Sequence, residues 1–288
     1  MTKTHGHGAI SAVGSGPGRG PVTDPLDETG RGASAVGPGP DGGHFVVADG
    51  LRIYFKDEGR ADAPVLLMLH GGLVTQAAWD MVAPLLLDRY RIVRPDTRAH
   101  GRSRDDGGPL SYSLFADDAS NFLRVLGIDR ALVVGHSDGG ATGISMALRC
   151  PQQLAGLVAI GTPYDLSNYL PGVLDELTTW MPTEADRQRW QPHMAADAFA
   201  DLSRRLVGDM WSREPNYTLE QLSAIVTPSI VLHSEHEEYF TAEASRTMAA
   251  TLTNATYLEI PACAHEALDE NPEYVAAQIR ALAAKVFD

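Results

Sequence analysis

A serine, a histidine and an acidic cluster, far apart in the sequence, are the residues that could do nucleophilic chemistry together. Ser137 lies in the run 131–146 (ALVVGHSDGGATGISM), where an apolar, strand-like segment passes through a Gly-rich turn into a helix-like one. The G-x-S-x-G nucleophile elbow requires this setting, because a sharp turn exposes the serine hydroxyl above a sheet. Gly135 and Gly139 stand where a Cβ would clash. A chance Gly-rich turn is the alternative, since the motif alone is short.

A serine hydroxyl is a weak nucleophile without a base, and the base needs a third group to hold its tautomer. The elbow therefore predicts an acid and then a histidine further along the chain. The strand-like segment 229–233 is followed by the acidic run 234–238, and the segment 256–260 is followed by His265. Both sites follow strands, so we expect them at the carboxyl edge of a sheet, where open α/β sheets bind ligands.

The elements that must position these residues form an α/β pattern. Strands alternate with helices from residue 64 onwards, which predicts a doubly wound, mostly parallel sheet. The run 64–69 (PVLLML) is typical of a strand buried on both faces. Two short strands around Asp49-Gly50 predict a hairpin. We expect helices over 77–88, 112–127, 141–149, 242–252 and 271–287.

Composition divides the chain into three parts. Residues 1–43 are rich in Gly and Pro and lack apolar periodicity, which predicts a disordered extension. Residues 44–161 and 224–288 are expected to form the α/β core. In residues 162–223, aromatic and apolar side chains recur at helical spacing between prolines, which predicts a helical cap inserted over the sheet. A plain crossover is the alternative, but about 60 residues is long for one.

Charge and cysteine content limit the partners. The net charge of −14 argues against nucleic-acid binding, which needs a basic face. Two cysteines, Cys150 and Cys263, give no disulfide framework, and Cys263 is interpreted as a small buried residue and not a thiol nucleophile. No apolar stretch predicts a transmembrane helix or a secretory signal. We therefore expect a cytoplasmic protein whose partner is a small-molecule substrate, without nucleic acid or membrane, and a homodimer is left open.

Taken as a set, five motifs resemble those of the α/β-hydrolase superfamily, in its lidded serine esterase and lactonase branch. They are LLMLHGG, PDTRAHGRS, VVGHSDGG, SIVLHSEHEE and AHEALDENPE. The resemblance covers residues 45–287 apart from the cap. It implies that Ser137 is the nucleophile and His265 the general base, and that the reaction needs no metal or organic cofactor.

The same resemblance places the acid of the triad at Glu237. In the family the acid follows by three residues a Gly that closes a strand, and Ser234 holds that position here. Glu in place of the usual Asp is a departure, and Ala264 and Ala99 replace family glycines, so we expect small local adjustments. The alternative acids are Glu235, Glu238 and Asp165.

The oxyanion hole needs two backbone N–H groups. One belongs to Asp138, the residue after the nucleophile. By the family pattern the other is Gly72, with Leu73 as the alternative. The Asp138 carboxylate either accepts a hydrogen bond within the elbow or stands at the pocket mouth, where it would favour cationic or hydroxyl-bearing substrates. His70 and His136 are interpreted as histidines that brace loops.

The leading prediction is a serine hydrolase that forms an acyl-enzyme from an ester or lactone. The Trp, Met, Leu and Tyr residues of the cap would line an apolar pocket for a small to medium, partly hydrophobic substrate. One alternative keeps the fold but acts on a carbon–carbon bond or as a perhydrolase. Another is a non-catalytic ligand receptor, against which the intact Ser137 and His265 argue.

Overall fold

Residues 36–288 of this computed structural model are described, and they fold around one nine-stranded sheet. The strands are β1 (Gly37–Pro38), β2 (His44–Ala48), β3 (Leu51–Glu58), β4 (Val65–Leu69), β5 (Arg91–Pro95), β6 (Ala131–His136), β7 (Leu154–Ile160), β8 (Ser229–Ser234) and β9 (Ala255–Ile260). Their order across the sheet is β1-β2-β3-β5-β4-β6-β7-β8-β9. Strands β4 to β9 are parallel, whereas β1, β2 and β3 pair antiparallel. The predicted α/β class with a mostly parallel sheet is confirmed.

Helices cover both faces of this sheet. In chain order the α-helices of residues 36–288 are α1 (Tyr112–Val125), α2 (Asp138–Arg149), α3 (Val173–Thr179), α4 (Glu184–Trp190), α5 (Ala196–Ser203), α6 (Leu219–Ser223), α7 (Ala242–Thr251), α8 (Ala267–Glu270) and α9 (Pro272–Phe287). A π-helix, Arg204–Met210, continues α5. Short 3-10 helices lie at Pro40–Gly42, Gln76–Trp79, Ala83–Leu85, Pro151–Gln153 and Leu166–Asn168. Within the described residues no helix is both long and apolar enough to cross a bilayer.

Strand β4 shows how the apolar pattern builds two cores. Leu67 and Leu69 pack with α1 and α2 on one face of the sheet, and the intervening Met68 packs with α9 on the other. Because successive side chains of a strand point to opposite faces, a continuous apolar run is what burial on both faces requires. The predicted double burial is confirmed.

The β2–β3 hairpin forms as the sequence predicts. Asp49 and Gly50 connect the strands with φ values of 49° and 79°. Positive φ at both central residues is the signature of a type I′ turn, whose twist matches that of the flanking strands.

Two predicted boundaries are wrong. The segment 77–88 is not one helix: it forms two short 3-10 helices, because Pro84 has no N–H to donate to the carbonyl of Asp80. The ordered core also begins earlier than predicted, since β1 pairs with β2 and the Tyr54 hydroxyl donates to the carbonyl of Pro40 at 3.0 Å. The rest of the predicted disordered extension, residues 1–35, lies outside the described residues.

The connection between β7 and β8 is helical, as expected for residues 162–223, here called the insertion. Leu206 and Met210 of the π-helix pack on Leu73 and Phe115 of the core, above the carboxyl edge of the sheet. Leu222 of α6 packs instead in the core on the α1 and α2 face of the sheet. The part of the insertion that covers the carboxyl edge of the sheet therefore ends before α6.

Candidate active site

Ser137 occupies the turn between β6 and α2. Its φ and ψ are 51° and −116°, a conformation that residues other than Gly seldom adopt. Its amide donates to the carbonyl of Ile160 in β7 at 2.8 Å, which anchors the turn. A Cβ on Gly135 would lie 2.2 Å from the carbonyl of Gly139, and a Cβ on Gly139 would lie 2.1 Å from the carbonyl oxygen of Leu69. The prediction that neither glycine can carry a side chain is confirmed.

His265 and Glu237 form a buried hydrogen-bonded pair. The distance from His265 Nδ1 to Glu237 Oε1 is 2.8 Å, and the two side chains are 8% and 1% exposed. The amides of Glu238 and Tyr239 also donate to Glu237 Oε1, each at 3.1 Å. A carboxylate on Nδ1 assigns the proton to that nitrogen and leaves Nε2 free to accept one. His265 and Ser137 line the same cavity.

The other three candidate acids form no hydrogen bond with His265 in the structure. Glu235 is exposed and accepts from the amide of Ala262 at 2.7 Å. Asp165 caps the 3-10 helix that follows it, accepting from the Ser167 amide at 2.9 Å. Glu238 is exposed. Of these four described carboxylates, Glu237 is the one that contacts His265.

The pair shifts the pKa of each member. Burial lowers the pKa of His265, but the hydrogen bond to Glu237 and its negative charge outweigh burial, so the pKa is raised above its ordinary value. Burial raises the pKa of Glu237, but the same bond and the charge of His265 outweigh it, so that pKa is lowered. Glu237 therefore stays anionic at neutral pH, and His265 is a stronger base than a free imidazole.

Gly161, which the sequence analysis did not single out, makes room for this pair. It follows β7 directly with φ 51°, and a Cβ there would lie 3.1 Å from Glu237 Oε2 and 3.2 Å from His265 Cε1. A glycine directly after a buried strand was the available signal, but its neighbours come from the far end of the chain.

Gly161→Ala should therefore destabilise the protein by about 1–3 kcal/mol and lower its activity, because strain and crowding add. Thermal unfolding and steady-state kinetics measure the two effects. Gly127→Ala is the matched control, since Gly127 also has positive φ, 67°, but nothing lies within 4 Å of a Cβ there. It should lose stability and keep activity. Equal activity in both variants would contradict the assigned role of Gly161.

The two predicted oxyanion residues, Gly72 and Asp138, both line the cavity. Asp138 is the first residue of α2, so its amide lies at the positive end of the helix dipole. The alternative donor, Leu73, is already used, because its amide donates to His100 Nε2 at 3.2 Å. A Cβ on Gly72 would lie 2.4 Å from Trp211 Cζ2, so Gly is required where the insertion packs on this loop.

The Asp138 carboxylate accepts hydrogen bonds, but not from within the elbow. The Tyr112 hydroxyl of α1 donates to it at 2.7 Å, and Trp211 Nε1 of the insertion donates at 3.0 Å. Burial raises the pKa of Asp138 to about 6. Sequence reasoning missed Tyr112 entirely and took Trp211 only as an apolar residue, because the contact joins three elements that are distant along the chain.

His70, His136 and Cys263 make structural contacts. His70 Nε2 accepts from the Thr97 amide at 3.0 Å, and His136 Nε2 donates to the carbonyl of His265 at 2.9 Å. Burial lowers the pKa of His70 and of His136 to about 3, so both are neutral. Their predicted bracing role is confirmed. Cys263 is buried, and burial raises the pKa of its thiol, as expected for a small packed residue.

The cavity above Ser137 has a volume of about 210 Å³, and most of its lining side chains are apolar or aromatic. Its walls and roof are formed by Leu73, Val74, Tyr169, Leu177, Trp180, Trp190, Trp211, Tyr239 and Phe240. More than half of these side chains belong to the insertion. The arrangement can hold a small, partly apolar molecule against a serine, a buried His–Glu pair and two backbone amides.

A family model for the alpha/beta hydrolase fold matches residues 64–223, more than half of the chain. The chain belongs to this family. Its similarity to solved structures agrees: a meta-cleavage product hydrolase from Pseudomonas fluorescens superimposes with a TM-score of 0.75 over 84% of this chain and 97% of that one. At 18% identity, that likeness concerns the fold alone.

Two curated relatives of this α/β hydrolase indicate the range of activities in the family. A bifunctional esterase/perhydrolase from Acinetobacter calcoaceticus is 38% identical over 101 residues, 34% of this chain and 36% of that protein. A 2-hydroxymuconate semialdehyde hydrolase from Pseudomonas sp. is 32% identical over 174 residues, 59% of this chain and 58% of that protein. The chain thus spans less than two thirds of the length of either relative.

Proposed function

We propose that this α/β hydrolase is a serine hydrolase that cleaves esters or lactones of small to medium, partly hydrophobic substrates. The observation that carries the proposal is the buried hydrogen bond between Glu237 and His265 at the wall of the cavity into which the elbow presents Ser137. A carboxylate that holds an imidazole beside a strained, cavity-facing serine is the arrangement that activates a serine hydroxyl.

In the proposed reaction, Ser137 Oγ attacks the substrate carbonyl while His265 Nε2 takes its proton. The amides of Gly72 and Asp138 stabilise the tetrahedral oxyanion. His265 then protonates the leaving alcohol, which departs and leaves an acyl-enzyme on Ser137. Water, deprotonated by His265, attacks the acyl carbon, and the acid is released with the serine hydroxyl restored. Glu237 keeps its charge throughout and stabilises the imidazolium.

The insertion would act as the cap of this site. It supplies most of the aromatic side chains that line the cavity, which shield the site from bulk solvent and strengthen the electrostatic interactions beneath them. A cavity of about 210 Å³ suits a short acyl chain or a small ring better than a long lipid chain.

A panel of p-nitrophenyl esters of increasing acyl length, with lactones and amides alongside, tests the proposal. We expect turnover of short and medium esters or of lactones, and stoichiometric labelling of the protein by a fluorophosphonate. A protein that neither labels nor turns over any member of the panel would be a receptor and not a hydrolase.

Peracid formation is the second candidate, favoured by the similarity to the esterase/perhydrolase. The same Ser–His–acid arrangement serves both reactions, with hydrogen peroxide replacing water as the acyl acceptor. Adding peroxide to the ester assay and measuring peracid distinguishes them. Carbon–carbon bond cleavage, suggested by the name of the second relative, is tested by including a dienone acid substrate.

The charge of the cavity predicts a substrate preference. Asp138 and Glu266 line it, and the described lining residues include no Lys or Arg. A carboxylate on the substrate would face the buried Asp138 and the exposed Glu266, and such like-charge contacts disfavour binding. An ester with a carboxylate on its acyl chain should have a kcat/KM at least about 10-fold below that of its neutral methyl-ester analogue. Equal kcat/KM values for the two esters would contradict the prediction. Glu266→Gln should reduce the difference between the two kcat/KM values.

A further inference from the structure

Gln191, which directly follows α4 in the insertion, is fully buried against the loop that carries Gly72. Its Nε2 donates to the carbonyls of Leu73 and Val74, both at 2.9 Å. Its Oε1 accepts from the amide of Gly101 at 2.7 Å. Both polar atoms of the side chain are therefore hydrogen-bonded to the core backbone, and two of the three bonds are to the residues that follow Gly72.

Leu73 is held in a conformation that needs support. Its φ is 62°, in the left-handed region that residues with a bulky side chain rarely adopt. Its amide donates to His100 Nε2 at 3.2 Å, and its carbonyl accepts from Gln191. The peptide that carries the Gly72 amide is held from the other side by His70, whose Nδ1 contacts the carbonyl of Gly71 at 2.7 Å. His100 fixes the next peptide through the Leu73 amide, and Gln191 fixes the two carbonyls that follow. A residue of the insertion thus holds the chain where it leaves Gly72.

A second contact brings the insertion to the same place. Trp211 packs directly on Gly72 and donates its indole N–H to the carboxylate of Asp138. The insertion thus contacts both residues whose amides are assigned to the oxyanion hole. Supporting contacts of this kind fix the position of backbone N–H donors, and catalysis requires such donors to be held within a fraction of an ångström.

We propose that Gln191 is a positioning residue of the oxyanion hole: it holds Leu73 and Val74 so that the Gly72 amide points at the developing oxyanion. The insertion then completes the catalytic geometry as well as roofing the cavity. The proposal rests on the proposed serine hydrolase function. It predicts that loss of Gln191 weakens binding of the transition state more than binding of the substrate.

Two variants test this. Gln191→Met keeps the length of the side chain and removes its polar atoms, whereas Gln191→Asn keeps a buried amide but draws it back by one methylene. We expect kcat to fall about 10- to 100-fold in both with KM nearly unchanged, below the loss of about 10²- to 10³-fold from removing an oxyanion donor outright. Circular dichroism and titration of active sites with a fluorophosphonate confirm that the variants are folded.

A pair of inhibitors separates positioning from general structure. A trifluoromethyl ketone adds the serine oxygen to its carbonyl and places an oxyanion in the hole, whereas the matched methyl ketone binds without that charge. Loss of Gln191 should weaken the affinity for the trifluoromethyl ketone by the same factor by which kcat falls. The affinity for the methyl ketone should stay within about 2-fold of the wild-type value.

Arg205→Gln is the matched control for a loosened insertion. Arg205 ties the π-helix to the core through Asp105 and the carbonyl of Gly108, and it does not contact the loop after Gly72. This variant should lower the melting temperature and keep the ratio of the two ketone affinities.

Each outcome decides the matter. Unchanged kcat in both Gln191 variants, or an equal loss of affinity for both ketones, overturns the positioning role. If the wild-type protein neither hydrolyses esters nor labels at Ser137, the proposed function itself fails, and that result is visible before any Gln191 variant is made.

Discussion

Replacing Ser137 with alanine should lower kcat for ester hydrolysis about 10⁶-fold, to the rate that the oxyanion hole and binding alone support. The substitution removes only the hydroxyl group, and the elbow that presents it is held by backbone contacts that alanine keeps. KM should change little, because the side chain is small and the cavity walls are untouched. Steady-state kinetics with the best ester of the panel measure the loss.

Ser145→Ala is the matched control for Ser137→Ala, since Ser145 is buried further along the same helix, α2, and does not line the cavity. It should keep kcat within about 3-fold and keep fluorophosphonate labelling, which Ser137→Ala should lose completely. Substantial residual turnover in Ser137→Ala would show that another nucleophile, or a directly activated water, performs the reaction.

Glu237→Gln should lower kcat by about 10²- to 10⁴-fold and also move the pH profile. A glutamine loses the charge that stabilises the imidazolium and can hold the wrong tautomer of His265. In the wild type the raised pKa of His265 places the acid limb of kcat/KM above the ordinary value of about 6.5. Activity rises with pH because only neutral His265 can accept a proton. Without the anion of Glu237, the pKa falls, so the acid limb should shift to lower pH.

The neighbouring glutamates supply controls for Glu237→Gln. Glu235→Gln and Glu238→Gln each remove one negative charge from the same loop, but both side chains are exposed and neither contacts His265. Both should keep kcat within about 3-fold and leave the acid limb in place. A profile of kcat/KM between about pH 5 and pH 9 measures the shift. A larger effect from either control than from Glu237→Gln would move the acid to that residue.

Much of the site could be predicted because its signals are local. The motif around Ser137 is visible within a few residues, and a Cβ on Gly135 would meet the nearby backbone of Gly139, although the clash at Gly139 is with Leu69 of β4. The acid and the histidine follow strands, and in a parallel sheet strand ends meet at one edge. Glu237 was chosen over its neighbours from the family pattern, and the structure shows the physical distinction: its carboxylate turns inward onto His265 while Glu235 turns out to the Ala262 amide.

The rest of the site depends on contacts that no local pattern encodes. Trp211 meets Asp138, and Gln191 meets Leu73, across more than seventy residues of sequence in each case. Such pairs arise only when the insertion has packed over the sheet, and the local sequence around a glutamine or a tryptophan does not show whether its side chain faces the core or solvent. The two 3-10 helices in 77–88 have a different cause, since the helix-breaking effect of Pro84 is a local signal that the sequence contains.

A crystal structure of the protein with a boronic acid tests the central claim most directly, because boron forms a tetrahedral adduct with an activated serine. We expect a bond from boron to Ser137 Oγ, one boronate oxygen within about 3.1 Å of the amides of Gly72 and Asp138, and His265 Nε2 within hydrogen-bond distance of the adduct. An unmodified Ser137, or an adduct whose oxygen points away from both amides while His265 contacts neither atom, would contradict the account.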